Sequence, residues 1–155
     1  MIPTLQFTED LVREKFAGQY DRSDVPMADH MMRVASHLSD QDEATQHVAW
    51  MHDLVEDTDV DQGYLRALGY SDEILEALDL VTHDKKTHNY AEYIERICTS
   101  GNRIAIYVKL ADQKDNLDPK RWVRLNRYVQ GALRKRYNGV QEKLMEAALC
   151  LNSAQ

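Results

Sequence analysis

Residues 103–117 read RIAIYVKLADQKDNL, and the run admits two conformations. Ile104, Ala105, Ile106, Tyr107 and Val108 make a short apolar, β-branched stretch of the kind that fills a buried strand. A strand must share its backbone N–H and C=O groups with a neighbour. No second strand-like run exists in the chain to pair with it, so a buried helix is predicted here.

The flanking segments carry helical spacing separated by short Gly and Pro interruptions. Upstream, Thr8-Glu9-Asp10 reads as an N-cap with acidic first-turn residues, opening a helix that stops near Gly18. Pro26 suits the first turn of a second helix through His30, Met31, Val34 and Leu38. A third is expected from about Asp42 to Val55, with Val48, Met51, Leu54 and Val55 inward. Asp61 to Leu68 reads as a short helix ended by Gly69, and Ser71-Asp72-Glu73 caps another carrying Ile74, Leu75, Leu78 and Val81. Asn89 caps the next, with Tyr93, Ile94 and Ile97 as its stripe before Gly101. After Pro119 a long helical stretch runs to about Leu151, broken or bent near Gly131 or Gly139. The expectation is one all-α domain over residues 1–155, a bundle of about seven or eight helices.

The bulk numbers narrow the function classes. Hydrophobic residues make up 43% and charged residues 29%, ordinary for a soluble globular protein. No apolar stretch approaches the roughly 20 residues a membrane helix needs, and MIPTLQFTED at the N-terminus lacks the basic-then-apolar pattern of a secretory signal. Cys98 and Cys150 have no CxxC spacing, so two reduced thiols in a cytoplasm are expected rather than a disulfide or zinc knuckle. A net charge of −7 argues against a nucleic-acid partner. An acidic protein still accepts an anion where a metal and a few Lys or Arg residues reverse the local field. The sequence leaves a homo-oligomer open. The basic run Lys120, Arg121, Arg124, Arg127 and Arg134 to Arg136, with Trp122 and Tyr128 among its charges, is read as solvent-facing cations on helices whose aromatics join the core.

The chemically informative run is Trp50-Met51-His52-Asp53-Leu54-Val55-Glu56-Asp57-Thr58. Four titratable side chains in six residues at the end of an apolar helix are costly to bury without a purpose. On a continuous helix His52 and Asp53 point about 100° apart, so one ion reaches both only over the seam between their faces. Glu56 and Asp57 follow them by one turn. Imidazole plus carboxylate suits Mn²⁺, Fe²⁺, Co²⁺ or Zn²⁺ better than Ca²⁺. Two other places offer partners: His30, among apolar Met31, Met32 and Val34, and Asp112, with Lys109 before it and Asn116 a turn after it. Each has a plainer reading alone. A His-Asp pair is commonplace, a lone histidine is more often a satisfied core or surface residue, and Asp112 could simply be ion-paired to Lys109. His37 and His47 are read as solvated, and none of His37, His47, His83 and His88 as a ligand. Lys85-Lys86 is read as a solvated loop, with substrate phosphates as its alternative.

The combination is more specific than its parts. His52-Asp53-Leu54-Val55-Glu56-Asp57-Thr58 resembles the HDxxEDT signature of the RelA/SpoT hydrolase domains and small alarmone hydrolases, within the HD-domain phosphohydrolase superfamily. Lys109-Leu110-Ala111-Asp112 with Asn116 is similar to that family's KLADxxxN segment, and Ser23 and Pro26 ahead of His30 to its approach to the first ligand. Val81-Thr82-His83-Asp84-Lys85-Lys86, then Tyr90-Ala91-Glu92-Tyr93-Ile94, resembles a further segment of short HD proteins. The likeness runs over about residues 15 to 125. It implies one divalent metal, Mn²⁺ foremost, held by His30, His52, Asp53 and Asp112. It implies Glu56 and Asp57 as the catalytic pair that orients and activates water, and a substrate contact from Asn116; Arg22 and Lys109 are further candidates for substrate contacts.

Departures fall outside that implied metal site. The family commonly places Arg then Lys or Arg before the serine, where this chain has Asp21 and Arg22; Asp24 and Met27 replace a Gly and a Tyr, and Gln113-Lys114-Asp115 replaces Arg-Leu-His. The departures fall on the base pocket, so hydrolysis of a phosphate ester or anhydride is the broader expectation, and removal of pyrophosphate from a (p)ppGpp-like nucleotide is the first reading within it. A nucleotidase acting on a different nucleotide and a non-catalytic nucleotide-binding regulator stand as alternatives.

Overall fold

The computed structural model describes residues 1–153. Its helices are α1 (Leu5–Lys15), α2 (Met27–His37), α3 (Glu43–Met51), α4 (Leu54–Asp57), α5 (Gln62–Leu68), α6 (Asp72–Val81), α7 (Tyr90–Thr99), α8 (Arg103–Asn116), α9 (Pro119–Trp122), α10 (Arg127–Tyr137) and α11 (Val140–Ser153). Among the described residues there is no strand, only an isolated antiparallel bridge between Tyr20 and Pro26 that closes the α1–α2 loop. The fold is all-α.

The ambiguous run at 103–117 forms α8, the axis of the bundle. It packs against α2, α3, α6, α7 and α11. Ile104, Ala105, Ile106, Val108 and Ala111 are all buried, so this helix is apolar around most of its girth, as a helix enclosed on all sides must be. That is why its composition resembles a strand. Its N-cap, Asn102, accepts from Ala105 N–H at 2.9 Å.

Several expected caps hold: Asp61, Ser71 and Asn89 each accept a backbone N–H of the first turn. Gly69 ends α5 with φ at 100°, a left-handed conformation that glycine adopts without a Cβ clash. Three boundaries differ. Helix α1 opens at Thr4, whose Oγ1 accepts from Phe7 N–H. Thr8 is instead buried one turn in, bonded to His47 and Tyr70. The expected helix over 42–55 breaks at His52–Asp53 into α3 and α4. The stretch after Pro119 breaks twice, at 123–126 and at Gly139, where φ is 74°; Gly131 lies inside α10. These extra breaks carry the number of helical segments beyond the expected seven or eight.

Candidate metal centre and its cavity

The break in α3 is the local feature that builds the site. His52 keeps helical angles, but Asp53 sits at φ −103°, ψ 0° as the N-cap of α4. The two side chains are thus not held 100° apart, and His52 Nε2 lies 3.4 Å from Asp53 Oδ2. Buried His30 comes from α2 and buried Asp112 from α8. His30 Nε2 is 2.9 Å from Asp112 Oδ1, 3.2 Å from His52 Nε2 and 3.7 Å from Asp53 Oδ2. His52 Nε2 is 3.3 Å from Asp112 Oδ1. Ligands about 2.0–2.2 Å from one cation lie roughly 3.0–3.5 Å from one another, close to this spacing.

The outer contacts fix the same geometry. His52 Nδ1 donates to Ala49 carbonyl at 2.8 Å, and His30 Nδ1 donates to Asp115 Oδ2 at 2.6 Å. With both Nδ1 atoms used as donors, both Nε2 atoms present lone pairs to each other and to Asp112 Oδ1. Lone pairs converging at 2.9–3.3 Å repel unless positive charge stands among them. A divalent cation supplies that charge, and the orientation of ligating imidazoles by a carboxylate or carbonyl is the usual outer arrangement of such sites.

Electrostatics agree. Burial opposes protonation of His52, yet Asp53 and Asp112 outweigh it and push its pKa up to about 9. His30 is likewise raised against its burial by Asp112 and Asp115. Burial works against ionised Asp112, but Lys109 and the two imidazoles hold it well below the usual carboxylate range. Four buried or half-buried groups therefore draw a cation inward, a proton if nothing else. The plainer reading of Asp112 also holds in part, since Lys109 Nζ donates to its Oδ2 at 2.7 Å. Oδ1 remains turned to the histidines.

A cavity of about 400 Å³ opens over this cluster. Glu56 and Asp57 line it from α4. Glu56 Oε1 accepts the backbone N–H of His83 at 2.8 Å, which fixes the carboxylate. Among the described residues Asp57 has no such bond. Burial, then the charges of Asp53 and Glu56, push its pKa up to about 6, with Lys85 opposing. Of the expected substrate contacts, Arg22, Lys109 and Asn116 all line the cavity. Lys109 is committed to Asp112, and Asn116 Nδ2 donates to Asp112 Oδ1 at 3.0 Å.

Other residues around the site are not legible in the sequence. Asp115, 1% exposed, lies behind the cluster and accepts from His30, Arg33 and Arg121. Arg121, expected in solvent, is turned inward, donating to Asp115, Asn116 and Asp21. Arg136 lies over the Tyr90 ring at 4.5 Å, and Tyr137 closes the same corner. His47, expected to be solvated, is fully buried, with Nδ1 2.8 Å from Thr8 Oγ1. The aromatics expected in the core are elsewhere: Trp122 is half-buried and Tyr128 is 87% exposed. His83 stacks on Tyr93 at 4.6 Å with Nε2 on the His88 carbonyl, an arrangement of packing rather than ligation.

The chain is thus an all-helical bundle with a His/Asp cluster beneath a polar cavity, and one comparison bears on its fold. Among solved structures the chain is similar to a metazoan ortholog of SpoT that hydrolyses ppGpp and plays a role in starvation responses. The TM-score is 0.78 at 23% identity, over 99% of this chain and 95% of that one. The two share a fold, and the resemblance read from the HD, ED and KLAD motifs agrees with it. No family model matches the chain, and no curated protein matches it.

Proposed function

We propose that the protein is a divalent-metal phosphohydrolase whose metal is held by His30, His52, Asp53 and Asp112, and that it removes pyrophosphate from a (p)ppGpp-like nucleotide. The observation that carries the reading is the convergence of His30 Nε2, His52 Nε2 and Asp112 Oδ1 within 2.9–3.3 Å of one another, with Asp53 Oδ2 at 3.4 and 3.7 Å from the two imidazoles and each histidine anchored from behind. A bound Mn²⁺ would offset phosphate charge and lower the pKa of water. Asp57, with its raised pKa and no side-chain hydrogen bond among the described residues, is the group available to accept a proton from water attacking phosphorus. Glu56, pinned by His83, orients that water.

The cavity has two distinct corners beside the cluster. Loop 20–27 and α9 meet through Ser23 Oγ on the Arg121 carbonyl and Arg124 on the Ser23 carbonyl, and there Tyr20, Met27, Trp122 and Leu125 supply apolar surface for a nucleobase. Lys85, Arg136, Tyr90 and Tyr137 form the other corner, with unpaired cations suited to phosphate. The reaction consumes one water and yields pyrophosphate with GDP or GTP. Mn²⁺-loaded protein is expected to release pyrophosphate from ppGpp, and Asp53→Ala to abolish the release. Full activity in that variant would remove Asp53 from the ligand set.

One observation favours a second substrate. Asp21 stands where the resembled family carries Arg, and its carboxylate accepts Arg121, Ser23 N–H and Val25 N–H. It braces the loop and offers no cation to a base. A nucleotidase on a different nucleotide follows if orthophosphate, not pyrophosphate, is the product.

A further inference from the structure

We propose that residues 118–137, comprising α9, α10 and their connection, act as an electrostatic collector that draws multiply charged phosphate anions to the mouth of the cavity; this rests on reading the cavity as a phosphohydrolase site. Seven of the chain's 19 Lys and Arg residues lie in these twenty positions, against one of its 26 Asp and Glu residues. A chain of net charge −7 thus carries one segment at +6. The lone acid, Asp118, is occupied as the N-cap of α9.

The pairing of these charges differs in proportion. Among the described residues, seven of the twelve Lys and Arg residues elsewhere lie against a carboxylate, namely Arg13, Lys15, Arg33, Arg66, Arg96, Arg103 and Lys109. Within the segment only Arg121 does, and it faces the cavity. Among the described residues, Lys120, Arg124, Arg127, Arg134, Lys135 and Arg136 have no acidic partner within 4 Å. Helix stability explains some of them, since Arg134, Lys135 and Arg136 occupy the last turn of α10, where the dipole favours cations. It does not explain Arg127, the first residue of α10, where the dipole opposes it. Nor does core packing, because neither α9 nor α10 contains a buried residue.

What the segment does adjoin is the cavity, to which it gives Arg121, Trp122, Leu125, Leu133, Arg136 and Tyr137. Its exposed cations therefore sit on elements that wall a cavity in an otherwise acidic protein, which on its own field would repel a nucleotide. Fields of this kind raise association rates by roughly 10–10³-fold and fade as salt screens them. The effect scales with ligand charge, so the structure favours anions carrying several phosphates over monophosphates.

The test uses Lys120→Glu, Arg127→Glu and Lys135→Glu together, three exposed residues whose side chains have no hydrogen bond or ion pair among the described residues and which do not line the cavity. Stopped-flow association of fluorescently labelled GMP, GDP and ppGpp is measured for both proteins at low and high salt. The expected result is a fall of about tenfold or more for ppGpp at low salt, a smaller one for GMP, and convergence at high salt. The triple Gln variant is expected to lie between. Equal rates for the two proteins, or a loss independent of ligand charge and salt, overturn the proposal. So does a difference confined to single-stranded RNA, which would assign the segment to a polymeric anion. Absence of hydrolysis with a charge-graded difference in association intact would count against the phosphohydrolase reading and not against the collector.

Discussion

Asp115 holds His30 Nδ1 with one oxygen and Arg33 with the other, and Arg121 closes on it from α9. Through these bonds the carboxylate sets both the tautomer and the aim of His30. Burial works against its charge, but His30, Arg33 and Arg121 hold its pKa far below the usual carboxylate range. Asp115→Asn is expected to weaken Mn²⁺ binding by about 10–100-fold with helix content unchanged, read by titrating metal into metal-free protein. An unaltered affinity would show that His30 is aimed by packing alone. The signal for Asp115 was present in the sequence, three residues after Asp112 and hence on the same face of α8. It went unread because a second inward acid only makes sense once His30 and two arginines are known to face it. Arg121 and Arg136 were illegible for the same reason: nothing local distinguishes a cation turned to a cavity from one turned to water.

At the scale of elements, α3 ties the site to the rest of the core. His47 lies five residues before His52 and packs against α1 and the α5–α6 connection, with Thr8 Oγ1 bridging it to Tyr70 OH at 2.6 Å. Burial lowers the pKa of His47, with Glu43 opposing weakly from 3.7 Å. The folded protein therefore keeps this imidazole neutral, while the unfolded chain protonates it near about 6.5. The unfolded state binds more protons below that value, so this residue's contribution to stability is present above it and is lost as pH falls. The stability advantage of wild type over His47→Gln, from denaturant unfolding, is expected to shrink between about pH 7 and pH 5. An advantage independent of pH would contradict a neutral buried His47. His47, Met51 and Leu54 recur at helical spacing on buried positions, so the inward stripe was readable; the polar turn beside it suggested solvent instead. The helix-versus-strand choice at 103–117 was legible, because a lone strand has no partner. The break at His52–Asp53 was not, since no Gly or Pro marks it.

For the molecule as a whole, the four proposed ligands come from α2, the α3–α4 junction and α8, elements that also make the centre of the core. Their side chains are brought together by packing of Met31, Val34, Val48, Met51, Ile106 and Val108, all fully buried. The HD and KLAD motifs carried the cluster at the sequence level because His30 and Asp112 lie on helices, and His52 and Asp53 at a helix junction, whose apolar residues are buried in the same core. The corners of the cavity depend on α9 and α10, which contribute nothing to the core, and so had no hydrophobic pattern to reveal them. The direct test is the Mn²⁺ content of metal-free protein after reloading and desalting, beside His52→Ala and Asp112→Ala proteins treated alike. One Mn²⁺ per chain in wild type and almost none in either variant is the result predicted here. No retained metal in wild type, or equal retention in all three, would contradict the metal centre on which the proposed chemistry depends.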